Sequence, residues 1–111
     1  MLNIESILYH LLGALSGSIG AINWPIIKQV SVEYFDNSKL RLFELANARV
    51  KNEIDNDFFL QRTKDELKIL ESELLSMAVM GKSQVQDAIN TTIGTFADLI
   101  GKITSTPHTE I

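Results

Sequence analysis

The chain has 111 residues and a mass of 12.4 kDa, enough for one small domain with one core and too little for a multidomain enzyme. With 45% hydrophobic and 22% charged residues it has the composition of a folded protein, and its net charge of −4 and pI near 5.0 provide no global positive field for nucleic acid. It contains no cysteine, so disulfides, thiolate metal sites and cysteine nucleophiles are excluded.

Six glycines, two prolines and little strand-like alternation point to an all-α chain. Charge divides it into three parts. Residues 1–32 carry only Glu5 and Lys28, residues 33–80 carry ten acids and seven bases, and residues 81–111 carry three acids and two bases. This reads as an elongated helical protein with an apolar head (3–23), a charged central helix (25–80), an amphipathic C-terminal helix (84–103) and a flexible tail (104–111), all in one unit.

In the head, Ile4, Ile7, Leu8, Leu11, Leu12, Leu15, Ile19 and Ile22 recur with helical spacing, and Asn3 is a suitable N-cap. The opposite face carries Gly13, Ala14, Ser16, Gly17, Gly20 and Ala21, with His10 as its one large polar group. Glycine costs a helix about 1 kcal/mol relative to alanine, so this face predicts a second backbone close by, and both faces are expected to be buried. The residues expected to pack in an oligomer or a membrane are Leu8, Leu12, Gly13, Leu15, Gly17, Ile19 and Gly20. Residues 6–27 are uncharged over a length that could cross a bilayer, and Gly13 and Gly17 form a GxxxG pair; His10, Asn23 and Pro25 inside the window oppose insertion. No basic residue precedes the apolar stretch, which argues against a cleaved signal peptide. Trp24 and Pro25 mark the start of a new helix.

From Pro25 to Met80 there is neither glycine nor proline, so one long helix is expected. Its candidate interface residues fall in two sets, Leu40, Phe43, Val50, Ile54 and Phe58, then Leu60, Leu67, Leu70 and Leu74. The two sets lie nearly opposite one another at 100° per residue, and the stripe changes sides near Asp55, Asn56 and Asp57. A rod of about 80 Å is the expected arrangement, with a hairpin at 55–57 as the alternative, because aspartate and asparagine can cap a new helix. Arg49/Glu53, Lys51/Asp55 and Arg62/Glu66 are spaced as helical ion pairs. Gly81, followed by Ser83 and Gln86, predicts a glycine stop and a capping box. The last helix presents Val85, Ala88, Ile89, Ile93, Phe96, Ala97, Ile100 and Ile103, of which Ile89, Ile93, Phe96 and Ile100 are its candidate contact face.

Chemical motifs are weak. Residues 76–83 end like a phosphate-binding loop, but Ser76 stands where its first glycine belongs. Asp55, Asp57 and Glu66 have calcium-loop spacing, but Phe59 and Leu60 occupy a ligand position and the turn glycine position. His10 and His108 lack metal-ligand companions, and His10 is expected to bond a backbone carbonyl. Asn90 to Thr92 match a glycosylation acceptor, and residues 109–111 resemble a carboxyl-terminal ligand for strand-addition domains. No catalytic residue, metal, cofactor, nucleic acid or small-molecule substrate is expected.

The sequence therefore suggests a non-enzymatic structural or assembly protein that oligomerises through helical packing, alone or in a larger assembly such as a small virion or secretion-apparatus component. Its first helix would enter a membrane or an oligomer core, which places it at a membrane, in a macromolecular assembly or free in the cytoplasm. The alternatives are a membrane-active pore-forming, holin-like or phage-ejected protein that contacts lipid, and a soluble four-helix adaptor.

Overall fold

Helical periodicity becomes four helices in a computed structural model that describes residues 3–105. They are α1 (Ile4–Ile19), α2 (Trp24–Val50), α3 (Asn56–Ser76) and α4 (Lys82–Ser105). No strand occurs among the described residues, and the molecule is elongated. The expected tail begins within α4, and residues 106–111 lie outside the described part, as do His108 and the carboxyl-terminal motif.

Local chemistry sets the boundaries. The Asn3 side chain caps α1 by accepting from Ser6 N at 3.2 Å. At the other end Gly20 has φ 93°, where a side chain would be strained, and its N–H donates to Ser16 O at 2.9 Å. Pro25 sits in the first turn of α2, where its missing N–H breaks no helical bond.

The expected rod over 25–80 is replaced by the hairpin alternative. After Val50 the chain closes a Schellman motif: Asn52 N donates to Arg49 O (3.1 Å) and Glu53 N to Ala48 O (2.8 Å), with Asn52 at φ 63°. Asparagine supplies the left-handed residue usually provided by glycine. Asp55 then caps α3 by accepting from Phe58 N at 2.8 Å. The turn lies at 51–55 rather than 55–57. A second correction concerns Gly81. The left-handed residue ending α3 is Ala78 (φ 58°), whose N–H donates to Leu75 O, whereas the Gly81 carbonyl accepts the first bond of α4 from Val85 N. Ser83 accordingly falls inside α4 rather than before it.

Successive helices run antiparallel. Gln84 Nε2 donates to Ile19 O (3.4 Å), joining the start of α4 to the end of α1, and Lys39 of α2 approaches Glu5 of α1 (3.9 Å). Tyr34 Oη donates to the Glu66 carbonyl across α2 and α3, and the rings of Phe59 and Phe96 pack 5.1 Å apart between α3 and α4. With α1 also packed along α4, this is an up-down-up-down four-helix bundle.

The core runs along the bundle axis. Leu11, Leu15, Ile27, Phe35, Leu42, Phe59, Leu67, Leu70, Leu74, Val85, Phe96 and Ile100 are all buried. At about 25 cal/mol per Å² of apolar surface, such burial is the main force closing the bundle. Four serine and threonine side chains are buried with it, and three of them donate within their own helices: Ser31 to Ile27 O, Thr63 to Phe59 O and Thr92 to Ala88 O. Each pairing removes the penalty of a buried unsatisfied donor. Thr92 belongs to the glycosylation-like triplet, which is part of α4.

The expected ion pairs are also redrawn. Arg49/Glu53 and Lys51/Asp55 straddle the turn and lose helical spacing. Glu66 instead accepts from Arg41 of α2, at 2.9 Å. Arg41 also donates to Ser38 Oγ at 3.3 Å.

Candidate interaction surface

The expected packing residues of α1 divide between its two sides. Leu8, Leu15 and Ile19 are buried against the bundle, and Leu12 and Gly20 are half-buried. Gly13 and Gly17 are exposed. A Cβ built at either would meet nothing within 4 Å, so the chain does not supply the close backbone expected on this side. The expectation that α1 is buried around its whole circumference therefore fails for the single chain, which closes its own core with one face of α1 and leaves the other face to solvent. Gly94 on α4 is similarly open.

The outward face of α1 is uncharged beyond Glu5 and has one large apolar side chain, Tyr9, which is 77% exposed. His10 Nδ1 lies 2.8 Å from Ser6 O, the backbone pairing expected for it, and its ring meets that of Tyr9 edge-on at 5.9 Å. Beside them an open groove of about 490 Å³ is lined by Tyr9, His10, Leu12, Gly13, Ser16, Trp24 and Lys28. It runs between α1 and the first turns of α2 and is predominantly apolar.

The α2 interface set is rearranged most. Leu40 is 72% exposed, and Phe43, Val50 and Ile54 are half-buried. The buried face of α2 consists instead of Ile27, Ser31, Tyr34, Phe35, Ser38, Leu42 and Ala46. Sequence reading missed it because two serines and an alanine interrupt the apolar pattern, while Ile26, Val32 and Leu40 point outward. On α3, Leu67, Leu70 and Leu74 are buried, Leu60 is half-buried, and Phe58 is 51% exposed. On α4, Ile89, Phe96 and Ile100 are buried and Ile93 packs against the core from its edge.

Phe58 borders a second groove, of about 350 Å³, between α2 and α3. Arg41, Glu44, Arg62 and Glu66 line it above Leu45, Ala48 and Ile54, so its charges balance. Tyr34, beneath the Arg41 and Glu66 pair, has its phenol pushed up to about 12 by burial, with the Glu66 charge adding to the shift and the Ser38 hydrogen bond opposing it. Among the described residues no group of three or more histidine, cysteine, aspartate or glutamate side chains could hold a metal ion.

Membrane crossing by residues 6–27 is not supported. Among the described residues no helix is long and apolar enough to span a bilayer. The uncharged run of 6–27 is divided by the turn at Gly20, and the 16 residues of α1 reach only about 24 Å, against a hydrocarbon core of about 30 Å. Comparisons with protein-family models, curated proteins and solved structures return no match for this chain.

Proposed function

We propose that the protein is a non-enzymatic helical assembly module whose self-association uses the outward face of α1. The observation that carries this reading is the placement of Gly13 and Gly17 on an exposed, uncharged helix face, with nothing within 4 Å of either. Two glycines weaken α1 by about 1 kcal/mol each without compensation inside the chain, and a second copy laid along the same face would supply it through close backbone contact. Tyr9 and the apolar groove beside it offer the larger contact area such packing needs, since aromatic anchors carry much of the energy of an interface. The low charge of the face removes repulsion between identical copies.

Sedimentation velocity across a concentration series tests this. The wild-type chain is expected to show a concentration-dependent increase in mass, and Gly17→Leu is expected to remain monomeric. Leucine has higher helix propensity than glycine and a Cβ at this exposed position meets no neighbour within the chain, so the variant is expected to fold, and unchanged circular dichroism separates loss of assembly from misfolding. A wild-type chain that stays monomeric at high concentration, or a Gly17→Leu chain that assembles equally well, overturns the reading.

A further inference from the structure

We propose that the protein forms a closed antiparallel dimer, in which the trough between α1 and α2 receives the same trough of a second copy turned end for end. This rests on the self-association argued above and adds to it a face of α2, an orientation and the charged residues that select that orientation. The groove beside Tyr9 continues into another of about 290 Å³, and the two share Tyr9 and Leu12. The resulting trough is largely apolar and carries opposite charge at its two ends. Lys28 is the charged side chain lining one groove, and Glu5 and Asp36 are those lining the other. Glu5 and Asp36 both approach the ammonium of Lys39, at 3.9 and 3.5 Å, which leaves one carboxylate in excess at that end. Among the described residues Lys28 has no ion-pair partner. Glu33 and Glu73 line the groove on the other side of α2, toward α3.

A second copy satisfies this pattern in one orientation. Lys28, Val32 and Asp36 follow one another at four-residue intervals on one stripe of α2, and all three are exposed, so Val32 is the midpoint between the two charges. A two-fold axis crossing the trough at Val32, perpendicular to the helices, sets Lys28 of each copy opposite Asp36 of the other, once on each side of the axis. The two α1 helices then also run antiparallel, and Tyr9, which shares a groove with Val32, comes over Gly13 of the other copy, where the missing Cβ leaves room for the ring. Opposite charges across an interface fix register and orientation. A parallel pair would instead bring the acidic ends of both copies together and the two Lys28 side chains together. In the antiparallel pair each trough is used once, so association stops at two copies.

Sedimentation velocity of charge-reversed full-length chains tests the orientation separately from association itself. The mass of the wild-type protein should level off at twice that of the chain. Lys28→Glu and Asp36→Lys should each weaken self-association by at least about tenfold, because each variant sets like charges opposite one another at two places. An equimolar mixture of the two variants should recover wild-type dimerisation, since both contacts between the unlike chains again join opposite charges. Both positions are exposed, so the circular dichroism of each variant should match that of the wild type. Where the wild type associates and Gly17→Leu does not, three results overturn the antiparallel dimer and leave self-association through α1 standing. These are a mixture that associates no better than its two components, single variants that dimerise as well as the wild type, and a wild-type mass that grows past the dimer. A wild-type chain that stays monomeric overturns both.

Discussion

Two residues occupy left-handed backbone without being glycine, and they differ in how well they suit it. Asn52, at φ 63°, is of a type that visits this region readily, whereas Ala78, at φ 58°, carries the Cβ penalty of about 1 kcal/mol with no polar side chain to offset it. Ala78→Gly should therefore stabilise the fold by about 1 kcal/mol and raise Tm by about 5 °C, read by thermal denaturation. An unchanged or lowered Tm would show that the end of α3 does not hold this conformation. Tyr34 makes a different prediction, because its phenol is buried and donates to the Glu66 carbonyl. Its pKa lies above the unfolded value of 10.0, so its contribution is fully present below about pH 10 and is lost as pH rises toward 12, where the unfolded chain gives up the proton first. Tyr34→Phe should remove that part of the alkaline loss and reduce stability near neutral pH by about 1 kcal/mol. Urea titrations of both proteins at pH 8 and 11 provide the comparison, and parallel alkaline losses would remove Tyr34 as the titrating group.

Substituting the two candidate stripes of the central segment separates the hairpin from the rod. Leu67 of α3 is buried while Leu40 of α2 is 72% exposed. Leu67→Ala should cost about 2–5 kcal/mol by opening a cavity, whereas Leu40→Ala should change stability by no more than about 0.5 kcal/mol. Denaturant unfolding measures both, and similar losses at the two positions would mean that α2 presents a different face to the core. This contrast also marks how far the sequence was legible. The start of α1, the Trp24-Pro25 entry to α2, the leucines of α3 and the amphipathic face of α4 all follow local rules, because caps, proline geometry and helical periodicity act over a few residues. The break between α2 and α3 was obscured because Asn52 performs a turn that glycine usually marks. The core face of α2 was obscured because Ser31 and Ser38 look polar until each hydroxyl is seen bonded within its own helix or to its neighbour. For the candidate surface, Gly13 and Gly17 could be named from sequence, but their exposure could not, because it depends on which face of α1 the other three helices cover.

At the scale of the whole molecule, the core closes within one chain while the proposed self-association would cover the outer face of α1 separately, so stability can report whether assembly occurs. The bundle buries its core without a partner. A second copy that binds only the folded chain adds stability through mass action, so the Tm of the wild-type protein should rise with protein concentration. Gly17→Leu acts on folding and on the proposed association with opposite sign. It replaces a helix-weakening residue in an open position, which should raise the Tm of the dilute monomer by a few degrees, since about 1 kcal/mol is restored to α1. At the same time it fills the space through which a partner helix would approach, which should abolish the concentration dependence. The Tm curves of the two proteins should therefore converge as concentration rises, with the variant flat and the wild type climbing. A residue important only for the fold would move both curves together, and an inert surface glycine would leave both flat with the variant above. Differential scanning calorimetry over a hundredfold range of concentration distinguishes these outcomes. A wild-type Tm independent of concentration would show that the exposed face of α1 has no affinity for its own kind.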